Sequence, residues 1–183
     1  MPSFVGAAAD RFTAEQVYEA ANTVEPGFIR VDADEATYNM HVMVRFELER
    51  AMISGDLAIK DLPGEWNRMY REYLGLTVPD DRRGCLQDVH WSGGMIGYFP
   101  TYTLGTMYAA QFFEKAREAL PGPEDGFARG DFAPLLGWLR TNIHRHGRRH
   151  LSADLCVEVT GKPLSADPFM RHLEAKLAPL YGL

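Results

Sequence analysis

The sequence predicts an all-α fold, and three observations carry that expectation. Apolar residues recur at three- and four-residue spacing along several segments, the period that gathers them on one helix face. Cap-forming residues precede those segments, and glycines or prolines follow them. No stretch alternates apolar and polar residues as a half-buried strand would. With 183 residues, 46% hydrophobic and 24% charged, the chain is long enough to bury a substantial core. The expectation is one helical unit over residues 1–183.

The elements follow in order. Thr13 can cap a helix that runs to about Ala21, with Gln16 reaching back, and Glu25-Pro26-Gly27 breaks it. Asp34 is the expected N-cap of a second helix continuing through Ile53 to a stop at Gly55. Tyr38, Val42 and Phe46 form its apolar column, Met40, Val44 and Leu48 an adjoining one, and Glu47, Glu49 and Arg50 the remaining arc. His41 reads as a core-edge histidine of this helix. Asp61-Leu62-Pro63 opens a third helix that ends near Leu74-Gly75. An irregular stretch, Leu76 to Pro100, is rich in glycine and aromatics; loops that long inside a compact domain are often functional. A fourth helix is expected from about Tyr102 to Leu120. Three more are expected: from Asp131 to about His146, from Ser152 to Gly161, and from Asp167 to Leu180, where His172 reads as a surface residue.

Composition narrows the function classes. A formal net charge of −6 argues against nucleic acid as a partner. One basic cluster runs against the trend, with Arg140, His144, Arg145, His146, Arg148, Arg149 and His150, and reads as a solvated helix end. No apolar run is long enough for a membrane span, and residues 1–10 lack the basic region of a secretory signal. A cytoplasmic protein is expected. Cys85 and Cys156 form no C-x-x-C pair and suggest neither a disulfide framework nor a thiolate metal site.

Two segments carry chemistry. In Ile29-Arg30-Val31-Asp32-Ala33-Asp34 the acids favour the positive end of a following helix, and Arg30 can pair with Asp32 or Asp34. In Gly84-Cys85-Leu86-Gln87-Asp88-Val89-His90-Trp91, an extended backbone would point Asp88 and His90 the same way. The carboxylate would then fix the imidazole's tautomer and hold its outer nitrogen toward a ligand. Gly93, Gly94 and Gly97 follow and permit close backbone approach. Tyr98 and Tyr102 bring neutral phenols that donate hydrogen bonds at neutral pH. Trp91 and Phe99 read as core aromatics.

These segments fit the patterns Ile/Val-Arg-x-x-Ala-Asp and Gly-x-x-Gln-Asp-x-His-Trp, and both resemble signature motifs of the carboxypeptidase Taq family of metallopeptidases. The surroundings agree, including Gly97-Tyr98-Phe99-Pro100-Thr101-Tyr102 and Ile143-His144-Arg145-His146-Gly147, and the likeness runs from about Phe12 onward. The resemblance implies a mostly helical zincin-type groove fold, usually homodimeric and cytosolic, that removes single residues from peptide C-termini. It implies a zinc or cobalt ion on an H-E-x-x-H helix, with a further glutamate as third ligand. This sequence contains no H-E-x-x-H, and in the family that element precedes the first motif.

The chain is therefore expected to be the C-terminal part of such an enzyme, with no metal ligands of its own and no independent activity. The alternatives are one half of a two-chain carboxypeptidase and a non-catalytic peptide-binding or scaffold module. By resemblance, Arg30, Gln87 and Asp88 are the candidate substrate-binding residues; His90, Tyr98 and Tyr102 are the candidate catalytic donors to the substrate carbonyl or oxyanion. His146 and His150 have ligand spacing, but the arginines beside them and the lack of a nearby acid argue against a cation. The apolar second helix predicts self-association, or a missing N-terminal half that covers it.

Overall fold

A computed structural model describes residues 11–183. Among them there are helices and turns but no strand. The helices are α1 (Ala14–Ala21), α2 (Tyr38–Ser54), α3 (Leu62–Leu74), α4 (Pro100–Ala119), α5 (Pro123–Ala128), α6 (Ala133–Asn142), α7 (Ser152–Thr160) and α8 (Asp167–Tyr181). The residues fall into two compact units. One comprises those through Tyr102 together with Leu177–Leu183; the other is Thr103–Lys176.

Local signals set most helix ends. Thr13 and Gln16 form the reciprocal capping box at the start of α1. Gly55 and Gly75 end α2 and α3 in the left-handed region, at φ 84° and 70°, where a side chain would be strained.

Asp34 does not cap α2 itself, whose N-cap position is Thr37; it caps the turn before it. Its carboxylate accepts from the Ala36 and Thr37 amides, both at 2.9 Å, closing a turn ahead of α2. The α-helix itself begins at Tyr38. The segment expected from Asp131 to His146 is divided: α6 ends at Asn142, and a short 3-10 turn spans His144–His146. Helix α5, six residues long, carried no signal strong enough to be read.

The core of the first unit lies where α2 packs on α3. Val44 and Leu48 meet Trp66, Met69, Tyr70 and Leu74, with Val78 and Cys85 from the following loop closing the cluster. Trp66 and Tyr70 stack at 5.1 Å, a geometry that adds to simple burial. The expected columns on α2 are only half right. Val42, Val44 and Leu48 are buried, whereas Met40 and Phe46 are exposed, and His41, Arg45 and Glu49 are buried in their place.

In the second unit, buried Gln111 on α4 anchors the turn after α7. Its amide donates to Thr160 Oγ1 at 3.0 Å and to the Pro163 carbonyl at 3.1 Å, and its oxygen accepts from the Ser165 amide at 3.0 Å. Phe113, Phe127 and Phe132 stack in series, and Arg171 of α8 grips the Glu114 carboxylate of α4 with its Nε and Nη2.

Candidate functional site

Residues 76–99 contain no helix but a chain of turns. Their side chains meet the buried polar column of α2. That column, His41, Arg45 and Glu49, has four-residue spacing, so one helix face presents all three.

Asp88 sits at the centre. Its Oδ1 accepts from Arg30 Nη2 at 2.8 Å, and its Oδ2 from Arg45 Nε at 2.6 Å. Arg30 thus pairs with Asp88, not with Asp32 or Asp34. Its Nη1 donates to the Tyr38 hydroxyl at 2.9 Å, and its guanidinium lies 4.9 Å from the centre of the Tyr102 ring. Arg45, at 0% exposure, lies over the Trp66 ring at 4.6 Å and donates to the His41 carbonyl at 2.8 Å. Burial alone would raise the Asp88 pKa, but the two guanidiniums outweigh it and hold the carboxyl below its usual range.

Gln87 fastens the two motifs together through the backbone. Its side-chain oxygen accepts from the Arg30 amide at 2.9 Å, and its nitrogen donates to the Phe28 carbonyl at 2.9 Å. Tyr70 donates to the same carbonyl at 3.2 Å. With that proton committed, the phenol oxygen is left to accept, and His41 Nδ1 lies 3.0 Å away. This assigns the His41 proton to Nδ1 and leaves Nε2 bare. The imidazole is neutral: burial first, then Arg45 and Arg30, push its pKa down to about 4.

His90 and Asp88 do come close, though through a turn and not by extended alternation. His90 Nδ1 lies 3.7 Å from Asp88 Oδ1, beyond hydrogen-bond range. The arginines have taken the carboxylate, so Asp88 does not fix the imidazole's tautomer. The outer nitrogen, Nε2, instead meets the Tyr102 hydroxyl at 2.9 Å. Phe99 packs 4.4 Å from the His90 ring, and Tyr98, with its ring 5.6 Å away, is 45% exposed. Of the two tyrosines, Tyr98 is the more exposed; Tyr102 is half-buried in the network.

Glu49 completes the frame. It accepts from Trp91 Nε1 at 2.7 Å and from the Gly97 amide, so it pins the glycine-rich turn to α2. Gly94 and Gly97 both have left-handed φ, 73° and 78°, which is why glycine occupies them. Phe99 is buried, as expected, and Trp91 packs partly buried against the core.

The sequence reading missed Arg45, His41 and Glu49 as members of this site. The legible signal was the polar column itself, three ionisable residues at four-residue spacing between apolar columns. A catalytic cation does not fit here. Both Asp88 oxygens are engaged by guanidiniums, whose charge repels a dication, and the sequence holds no H-E-x-x-H.

The sequence profile described as Carboxypeptidase Taq (M32) metallopeptidase matches residues 1–177. The chain is 52% identical over 168 residues to thermostable carboxypeptidase 1 of Thermus thermophilus and 44% identical over 164 residues to carboxypeptidase 1 of Bacillus subtilis. These matches take in 92% and 90% of this chain but 33% of each relative, so the chain spans about a third of their length. The crystal structure of the M32 carboxypeptidase from Deinococcus radiodurans superposes with a TM-score of 0.92 at 49% identity, covering 95% of this chain and 35% of that one. Trypanosoma cruzi metallocarboxypeptidase 1 superposes at 0.85 with 43% identity, over 90% of this chain and 35% of that one. A profile match over nearly the whole chain, joined to the two motifs that meet at Asp88, places this chain in the carboxypeptidase Taq (M32) metallopeptidase family.

Proposed function

We propose that this chain is the C-terminal part of a metal-dependent carboxypeptidase, that it forms the substrate-facing wall of the active-site groove, and that it does not hydrolyse peptides alone. The observation that carries this reading is the Arg30–Asp88–Arg45 assembly. Two guanidiniums share one carboxylate, so this trio carries one excess positive charge beside His90 and Tyr102, while Glu49, one turn further along α2, is committed to Trp91 and the Gly97 amide. Such a wall suits an anion, either a substrate's terminal carboxylate or the oxyanion that forms during hydrolysis.

Within it, Arg30, Gln87 and Asp88 shape the substrate side by holding the two motifs in register. His90, Tyr98 and Tyr102 are the donors toward the substrate carbonyl or oxyanion; of these, exposed Tyr98 reaches substrate with the least rearrangement. The zinc or cobalt ion and its general base belong to the H-E-x-x-H portion, which this sequence lacks. The complete enzyme is read as cytoplasmic and homodimeric. Exposed Met40, Met43, Phe46 and Ile53 along α2 support the packing of further polypeptide there, either that portion or a second copy.

Release of C-terminal residues from a peptide tests the reading. The chain with added zinc or cobalt is expected to show no turnover, and turnover is expected on mixing with the portion of a relative that carries H-E-x-x-H. Turnover by the chain alone, at a relative's rate, would overturn it.

A further inference from the structure

The sequence offers His146 and His150 as a pair without a third ligand, yet the fold supplies one. Glu158 on α7 comes to the pair, and one ligand atom from each of the three residues lies within 4.8 Å of the others. Among the described residues this is the one such group of three. The histidines do not owe their approach to a shared helix. His146 ends a 3-10 turn, and Gly147 then takes φ 56° and ψ −124°, a conformation that reverses the chain and excludes side chains. His150 follows just ahead of α7, its ring 5.4 Å from that of His146. Its Nδ1 lies 3.3 Å from Glu158 Oε2.

We propose that His146, His150 and Glu158 form a binding site for a borderline divalent cation of the Zn(II) class, separate from catalysis. Two imidazole nitrogens and one carboxylate oxygen match that class better than Ca(II) or Mg(II), which take oxygen ligands. A tetrahedral ion with bonds of about 2.0–2.2 Å needs ligand atoms roughly 3.3 Å apart. The donors therefore converge by at most about 1.5 Å; Glu158 Oε2 already lies 3.3 Å from His150 Nδ1, so the remaining movement brings half-buried His146 onto that pair. The fourth position remains for water. With neutral imidazoles the three ligands carry one negative charge, which favours a dication. Arg145, Arg148 and Arg149 oppose it, but they are exposed and their field is screened at physiological salt. The bound ion would staple the turn between α6 and α7 to the last turn of α7.

Equilibrium dialysis against zinc at micromolar concentration, with cobalt absorption spectra as a second readout, tests the site in the chain as it stands. One equivalent of zinc is expected, together with a cobalt spectrum of four-coordinate intensity. Glu158→Gln should weaken binding at least tenfold, and His146→Asn or His150→Asn should abolish the equivalent. Circular dichroism should show unchanged helix content, since Glu158 is exposed and the two histidines are only half-buried. Failure to bind zinc, or full binding retained in all three variants through other histidines, would overturn the proposal. Neither outcome bears on peptide hydrolysis.

Discussion

Arg45 Nε donates to Asp88 Oδ2 at 2.6 Å, which joins a fully buried helix position to a turn 43 residues further along the chain. The bond makes Asp88 the keystone of the first unit, because the same carboxylate also holds Arg30. Removing one partner from such a group costs far more than the group contributes net, since it strands buried charge.

Asp88→Asn keeps the shape and removes the charge, leaving Arg30 and Arg45 buried without a counterion. It should destabilise the protein by about 3–5 kcal/mol, read as a lower urea midpoint at unchanged slope. A loss within experimental error of zero would show that the network contributes shape alone.

Stability should fall as the pH drops from 6.5 toward 4. His41 is neutral in the folded state, with its pKa lowered from 6.5 to about 4. In that window the unfolded chain binds a proton that the folded chain refuses, so acidification favours unfolding. The full effect is about 3 kcal/mol, complete once the pH lies below both values. Asp88, whose carboxyl is also lowered, adds a loss of the same sign below the ordinary carboxylate range. Urea titrations between pH 7 and pH 4.5 measure the slope. His41→Gln should flatten it, whatever its effect on stability at pH 7.

Glu49→Gln should loosen the turn that carries the candidate catalytic residues. The variant keeps an oxygen for one donor but weakens a charge-assisted pair to Trp91 Nε1 and the Gly97 amide. The expected cost is about 1–3 kcal/mol. Amide exchange at Gly97 should quicken at least tenfold, with the α3 amides lagging behind. Equal acceleration in both would mean global unfolding and no local pin.

In the reconstituted two-part enzyme, Tyr98→Phe and Tyr102→Phe should separate. Because Tyr98 is exposed beside His90, Tyr98→Phe is expected to lower kcat by tenfold or more through loss of a donor to the oxyanion. Tyr102→Phe removes the partner of His90 Nε2, and should lower kcat by a smaller factor, through the placing of that ring alone. Identical, small effects from both would remove the donor roles.

The boundaries of the fold were legible wherever their cause is local. The Thr13–Gln16 capping box acts across three residues, and Gly55 and Gly75 stop their helices by φ alone. Asp34 shows the limit of such reading. Its capping chemistry was plain, but the turn it closes, and hence the true start of α2, depends on three neighbouring residues jointly. Helix α5 was missed because six residues are too few to show a period.

The sequence by itself determined the helical class, the two motifs and their order, and the absence of H-E-x-x-H, since each of these is a matter of residue type and short-range spacing. Tertiary structure alone decided which groups are paired. Arg30 had two acids within four residues and passed over both for Asp88, 58 residues away; Glu158 reached the histidine pair only because Gly147 reverses the chain. The physical reason is plainest for Arg30. A charge leaves water only where a partner of opposite sign meets it at hydrogen-bond distance, and in a helical protein that partner is set by which faces pack, a quantity no local spacing contains.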